Sequence, residues 1–173
     1  MTILKTLRLF LIPTPLHVLQ RRLLEPSFDT VIEIDGEPTT IHFPSEYPGD
    51  ALVLFPMMVE MLQANPKAET WSGLVVERAS NVAIGQMGFK AAPSEDGSIE
   101  LGYGINPSHW GRGYATEMVS ALIGWATEQP DIKRITAETL ADNLASIRVL
   151  EKLGFERMGQ REDNEGLLLL WQS

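Results

Sequence analysis

The sequence predicts one α+β domain, and three observations carry that prediction. Segments of strand-like alternation and segments of helical spacing follow one another along the chain. The second half reads as three strands, a helix, a strand, a helix and two closing strands. No repeat, linker or low-complexity tract interrupts them, and 173 residues suit one domain, which commonly spans roughly 100–200.

Thr6–Ile12 reads as a first strand. Pro13, Thr14 and Pro15 prepare a helix start, and Leu16, Leu19, Leu23 and Leu24 follow at helical spacing. Val31–Ile34 turns at Asp35-Gly36, a strong hairpin signal, and returns through Thr39–Phe43. A second helix occupies about Asp50–Gln63; Pro56 must kink it or begin it late, and Asn65-Pro66 ends it. Trp71–Glu77 and Val82–Phe89 flank Ala79-Ser80-Asn81 as a strand pair.

Ser98–Ile105 sets Ile99, Leu101, Tyr103 and Ile105 on one face, and Glu100, Gly102 and Gly104 on the other. A helix from about Arg112 to Thr127 carries Ala115, Met118, Val119, Leu122 and Trp125 on one side. Ile132–Glu138 is the next strand. Asn143–Leu153 is a short helix closed by Gly154, and Phe155–Gln160 pairs with Leu167–Trp171. The charged run Arg161–Glu165 between them reads as a solvated hairpin turn.

Composition excludes several function classes. Fourteen basic against 23 acidic residues give a net charge of −9, which argues against nonspecific nucleic-acid binding and favours a neutral or cationic small partner. Without cysteine there is no disulfide, thiolate zinc site or cysteine nucleophile. His17, His42 and His109 form no metal-spaced set, and His109 reads as an exposed loop residue. No apolar run reaches the roughly 18 residues of a membrane span, so a cytoplasmic protein with no membrane partner is expected.

Chemistry concentrates in two places. The first is Pro107-Ser108-His109-Trp110-Gly111-Arg112-Gly113-Tyr114-Ala115, between a strand and an amphipathic helix. Glycines at 111 and 113 let a bound group approach the main chain, and the amides of residues 111–116 converge at a helix start, which attracts phosphate. Arg112 can add a charged contact. The competing reading is a loop that merely turns the helix back onto the sheet. Neither the Walker pattern nor the dinucleotide fingerprint fits, because Tyr114-Ala115 follows Gly113 and Thr116 stands where a third glycine is needed. The second place is Asn143-Leu-Ala-Ser146 through Leu150, Gly154 and Phe155. There Asn143, Ser146 and Leu150 share one helical stripe, and Asn143 is either a helix cap or a ligand contact.

Together these residues resemble the GNAT superfamily of acyl-CoA N-acetyltransferases. Its phosphate-loop signature is Gln/Arg-x-x-Gly-x-Gly/Ala; Gly113-Tyr114-Ala115 supplies the Gly-x-Ala part, and Trp110 replaces the first polar residue. The Trp-Gly-x-Gly-Tyr-Ala variant, followed by Asn-x-x-Ser-x-x-x-Leu-Glu-Lys-Leu-Gly-Phe, looks like the branch that includes the ribosomal-protein N-terminal acetyltransferases. The resemblance covers about Trp71–Phe155 strongly and about the first 65 residues weakly, although Leu7-Arg8-Leu9 before a helix suits that branch.

The resemblance implies a mixed, mostly antiparallel sheet of seven strands, splayed at its centre beside Ile99–Ile105 and flanked by about four helices. It implies acetyl-CoA as co-substrate and no metal. Pantetheine would lie in the gap against the backbone at Ile105 and its neighbours. The pyrophosphate would lie over Gly111, Arg112, Gly113, Tyr114, Ala115 and Thr116, with Asn143 and Ser146 toward the pantetheine and sulfur end. Family members transfer the acetyl group to an amine directly, with no covalent enzyme intermediate, in keeping with the missing cysteine.

The acceptor amine must lose a proton, and Glu100 is the candidate base, directly or through water; it reads equally as an ordinary strand carboxylate. A backbone N–H of the splayed strand can hold the oxyanion. Many members place a tyrosine acid five residues before the final phenylalanine, where this chain has Leu150. Either Ser146 contacts the sulfur instead, or the thiolate, with a pKa of roughly 8.5 by analogy with cysteine, leaves unaided. The alternative to an enzyme is a non-catalytic acyl-CoA-binding regulatory module of the same fold; an unrelated phosphate-binding domain would prefer a nucleotide. The acceptor is a small molecule or a peptide N-terminus, and the N-terminal half, especially Arg21–Tyr47, is expected to shape its site. The sequence is compatible with a monomer or a homodimer.

Overall fold

The computed structural model describes residues 2–65, 71–164 and 166–173. Ten strands and four α-helices alternate along them. They are β1 (Leu4–Lys5), β2 (Leu9–Pro13), α1 (Leu16–Leu24), β3 (Phe28–Ile34), β4 (Glu37–Phe43), α2 (Phe55–Ala64), β5 (Ser72–Glu77) and β6 (Val82–Phe89) in the first half. The second half holds β7 (Ser98–Ile105), α3 (Tyr114–Thr127), β8 (Arg134–Leu140), α4 (Leu144–Lys152), β9 (Glu156–Asp163) and β10 (Gly166–Gln172). Short 3-10 turns at Gly49–Leu54 and Pro107–His109 precede α2 and α3.

One mixed sheet joins the strands in the order β1-β2-β5-β6-β7-β8-β10-β9. The described residues hold ten strands where the family resemblance implied seven. The extra ones are the two-residue β1 and the β3–β4 hairpin, which the Asp35-Gly36 signal had already placed and which meets the main sheet through one parallel pair, His42 opposite Val82. The hairpin turns at Asp35 and Gly36, both at positive φ (58° and 81°), which is why an Asp-Gly pair sits there. Pro56 does begin α2 late, after the 3-10 turn has used the residues from Gly49.

The sheet separates two apolar cores. On one face α1 and α2 bury Val18, Leu19, Phe55 and Leu62 against Phe43, Tyr47 and Leu74. On the other, α3 buries Met118, Val119 and Leu122 against Ile84, Leu101 and Ile135, and Leu150 of α4 joins it. Strand alternation decides the split: along β5, Val75 faces the α3 core while Leu74 and Val76 face the α1–α2 core. The sheet thus presents two differently furnished faces, and it opens in the middle.

Candidate acyl-CoA cleft

β7 and β8 pair in parallel only from Ser98 opposite Arg134 to Leu101 opposite Ala137. Beyond that pair β7 continues to Ile105 and β8 to Leu140, unpaired with one another. Their divergence opens a cleft of about 360 Å³. Backbone alternation decides which groups face it. The Glu100 carbonyl accepts from the Lys90 amide and the Asn106 amide donates to Ile84, so even-numbered positions are turned to β6. Odd-numbered positions face the other way, as the Thr136 hydroxyl donating to the Ile99 carbonyl at 3.4 Å illustrates. Tyr103 and Ile105 therefore turn their N–H and C=O groups to the side on which the cleft opens. The Ile105 carbonyl accepts from the indole N–H of Trp110, a side chain that is otherwise 68% exposed.

Leu101, Gly102 and Tyr103 line the cleft from β7, Glu138, Thr139 and Leu140 from β8, and Asn143 and Ser146 from the start of α4. Asn143 caps α4: its Oδ1 accepts from the Ser146 amide at 3.1 Å. Capping and lining the cleft thus fall to one residue. The Tyr103 hydroxyl crosses from β7 and donates to the Ser146 carbonyl at 3.0 Å. Burial pushes its phenol up to about 12, so it stays a donor.

The glycine loop sits between β7 and α3. Gly111 and Gly113 have φ of 74° and 77°, the left-handed region that a side chain disfavours. Gly113 is the residue before α3, and the first ladder bond is Glu117 N–H to the Gly113 carbonyl at 3.0 Å. The amides of Tyr114, Ala115 and Thr116 thus stand ahead of the ladder, as at any helix start. Helix α3 begins two residues later than the periodicity suggested, because Arg112 and Gly113 belong to the loop.

Arg8, which the sequence reading did not place here, braces this loop from the N-terminal strands. Its Nη1 donates to the Arg112 carbonyl at 3.0 Å and its Nε to Glu117 at 2.6 Å, and its guanidinium lies 4.5 Å from the Tyr114 ring centroid. Burial opposes ionisation of Glu117, but bonds from the Thr6 hydroxyl and from Arg8 outweigh it and hold the carboxyl below its usual range. Arg112 is half exposed; it donates to the Ser108 carbonyl at 3.2 Å and lies 3.8 Å from Glu77.

Four residues sit differently from their sequence readings. Leu150 is fully buried in the α3 core, so the helical stripe from Asn143 and Ser146 turns away from the cleft before reaching it. His109 is tucked in rather than exposed: its side chain is 14% accessible, its ring lies near Tyr114, and its Nδ1 is 2.7 Å from the Ser108 hydroxyl. Arg161 and Asp163 belong to β9, not to a solvated turn, and both line the cleft, where Arg161 pairs with Glu138. Glu165 of that run lies outside the described residues.

Glu100 is one residue short of the splay, opposite Thr136. Its Oε1 is shielded from water and in ion contact with the Lys90 ammonium, without an aligned hydrogen bond. It lines a smaller neighbouring hollow with Lys90, Ser94 and Thr136 rather than the main cleft. The structure therefore brings Tyr103, Asn143 and Ser146 to one opening, leaves Ile105 beyond its lining with its carbonyl bonded to Trp110, sets the loop of Gly111, Arg112 and Gly113 after β7, and leaves Glu100 beside the opening.

The sequence pattern of the acetyltransferase (GNAT) domain matches residues 19–156. This chain belongs to the GNAT acetyltransferase family. It is 38% identical over 112 residues to the uncharacterized N-acetyltransferase YjdG of Bacillus subtilis, an alignment covering 64% of this chain and 67% of that one. Two other Bacillus N-acetyltransferases align over 60% and 48% of their own lengths, so the chain spans about half to two thirds of the relatives it matches. Its GNAT fold is shared with a GNAT acetyltransferase from Bacillus anthracis, at a TM-score of 0.68 and 18% identity over 99% of this chain and 98% of that one. RimL, a ribosomal L7/L12 alpha-N-protein acetyltransferase solved with coenzyme A, has a TM-score of 0.67 at 17% identity, over 99% and 97%. No helix among the described residues of this GNAT domain is long and apolar enough to cross a membrane.

Proposed function

We propose that the protein is an acetyl-CoA-dependent N-acetyltransferase acting on a primary amine. The observation that carries this reading is the end of the β7–β8 ladder at Leu101 and Ala137, which leaves the main chain of Tyr103 facing an open cleft. Pantetheine pairs with that main chain as an added strand would. Its pyrophosphate lies over Gly111–Thr116, taking the amides of the α3 start, with Arg112 as the nearby cation. Asn143 and Ser146 face the sulfur end.

Attack by the neutral amine on the thioester carbonyl forms the new C–N bond and places negative charge on oxygen. The Tyr103 N–H, turned into the cleft, stabilises that charge. Collapse breaks the C–S bond and releases CoA as the thiolate, which leaves unaided or with the Ser146 hydroxyl donating to its sulfur. Glu100 takes the amine's proton through water, since its side chain lies one residue back from the opening and is engaged by Lys90. Glu138 is a weaker candidate base, because Arg161 already holds its carboxylate.

The acceptor enters from the α1–α2 face, between the 3-10 turn at Gly49–Leu54 and the charged rim of Lys90, Glu138 and Arg161. Small amines and peptide N-termini are both compatible with it. A panel of polyamines, aminoglycosides and peptides, scored by release of free CoA thiol, tests the reading. Thiol release with at least one amine, matched by acetylated product, is expected. Tight acetyl-CoA binding with no release across the panel would favour a non-catalytic binding module.

A further inference from the structure

We propose that Tyr103 is a positioning residue of the cleft: its phenol is a strut that fixes the start of α4, and with it Asn143 and Ser146, relative to β7. The inference rests on the reading that acetyl-CoA occupies this cleft.

Two strands that stop pairing need something else to set their separation. Below the splay the β7–β8 ladder does so; above Leu101 and Ala137 it is gone. Tyr103 stands two residues past the last pair. Its main chain faces the opening, and its ring packs at the edge of the α3 core on the side where α4 lies. From there the hydroxyl reaches the Ser146 carbonyl, 43 residues away in sequence, at 3.0 Å. The Ser146 amide in turn donates to Asn143 Oδ1 at 3.1 Å. The phenol, the Ser146 main chain and the Asn143 carboxamide are thus linked by two hydrogen bonds from strand to helix start, and Asn143 and Ser146 both line the cleft. Leu150, buried in the core one turn beyond Ser146, anchors the helix behind them. A single residue therefore offers its main chain to the cleft and its side chain to the opposite wall.

Tyr103→Phe keeps the packed ring and removes only the hydroxyl. The expected result is an acetyl-CoA Kd raised by about 2- to 13-fold, the loss of one neutral hydrogen bond, with the acceptor KM unchanged. In an Asn143→Ala/Ser146→Ala background the same change should shrink to near unity, because the strut then has no polar side chain left to place. An unaltered Kd in Tyr103→Phe overturns the proposal. So does a loss of equal size in both backgrounds, which would make the hydroxyl a direct contact. Gly113→Val, titrated alongside, separates the two readings. If it binds acetyl-CoA normally, the placement of the donor has failed; if it is impaired while Tyr103→Phe is normal, only the strut has failed.

Discussion

Arg161 holds both carboxylate oxygens of Glu138, donating from Nε to Oε1 at 3.0 Å and from Nη2 to Oε2 at 2.7 Å. The hydrogen bonds from Arg161, helped by its charge, outweigh the opposing effect of burial and depress the Glu138 carboxyl below its ordinary value of 4.5. A depressed carboxyl contributes stability that is present above the unfolded value and lost as pH falls through the folded one. Wild type should therefore exceed Glu138→Gln in unfolding free energy from urea titration at pH 7, by about 1 kcal/mol or less for so accessible a pair. The difference should shrink as pH falls below 4.5 and disappear once the folded carboxyl is protonated. A gap that does not shrink at all with falling pH would place the pair's contribution elsewhere than in its charge.

Gly113→Val should weaken acetyl-CoA binding by about 5- to 30-fold, the equivalent of the 1–2 kcal/mol that a side chain loses in the left-handed region. Space is not the obstacle, since an added Cβ would meet nothing nearer than Arg8 Nη2 at 3.7 Å. The φ of 77° is. Arg112→Ala should cost less, because main-chain amides make most of the contact. Calorimetry on both variants decides it, and near-normal affinity in the valine variant would remove the loop from the site.

Glu100→Gln should lower turnover by about 10²–10⁴, the range of general acid–base groups, while the acetyl-CoA Kd holds. Lys90→Met supplies the control, since it frees the Glu100 carboxylate from its ion contact without removing it. Unchanged turnover of Glu100→Gln at every pH would return Glu100 to a structural ion pair.

Leu150→Tyr should destabilise the fold by about 1–3 kcal/mol, as overpacking of a closed core does. The site is fully buried, so a phenol there cannot reach the cleft without displacing α3 core residues. Thermal denaturation reads the effect; an unchanged midpoint would mean that the helix can rotate Leu150 toward the opening.

What the sequence disclosed, and what it withheld, follows the range of the interactions involved. β6 and β7 were legible to the residue because alternation of apolar and small side chains is a local signal. The glycines of the loop were legible because two left-handed positions leave a mark in the residue types themselves. Arg8 was not, since its partners Arg112 and Glu117 lie 104 and 109 residues away. Arg161 looked like one member of a charged turn; only the β9–β10 and β10–β8 registers bring it beside Glu138. Leu150 illustrates a subtler limit. Helical spacing placed it in line with Asn143 and Ser146, but spacing cannot tell which residues of a stripe meet the cleft and which meet the core.

The β3–β4 hairpin meets the sheet at one residue pair, and its apolar side is closed by α1 and α2 together with Leu74, Val76 and Ala83 of the sheet. Ile41 and Phe43 are fully buried in one core with Leu74, Val76 and Ala83, so the hairpin cannot be removed without opening the sheet it edges. Its outward positions, among them Asp29, Glu33 and Thr40, are exposed and can be exchanged without touching that core. One half of each strand is thus fixed by packing while the other half is free to vary.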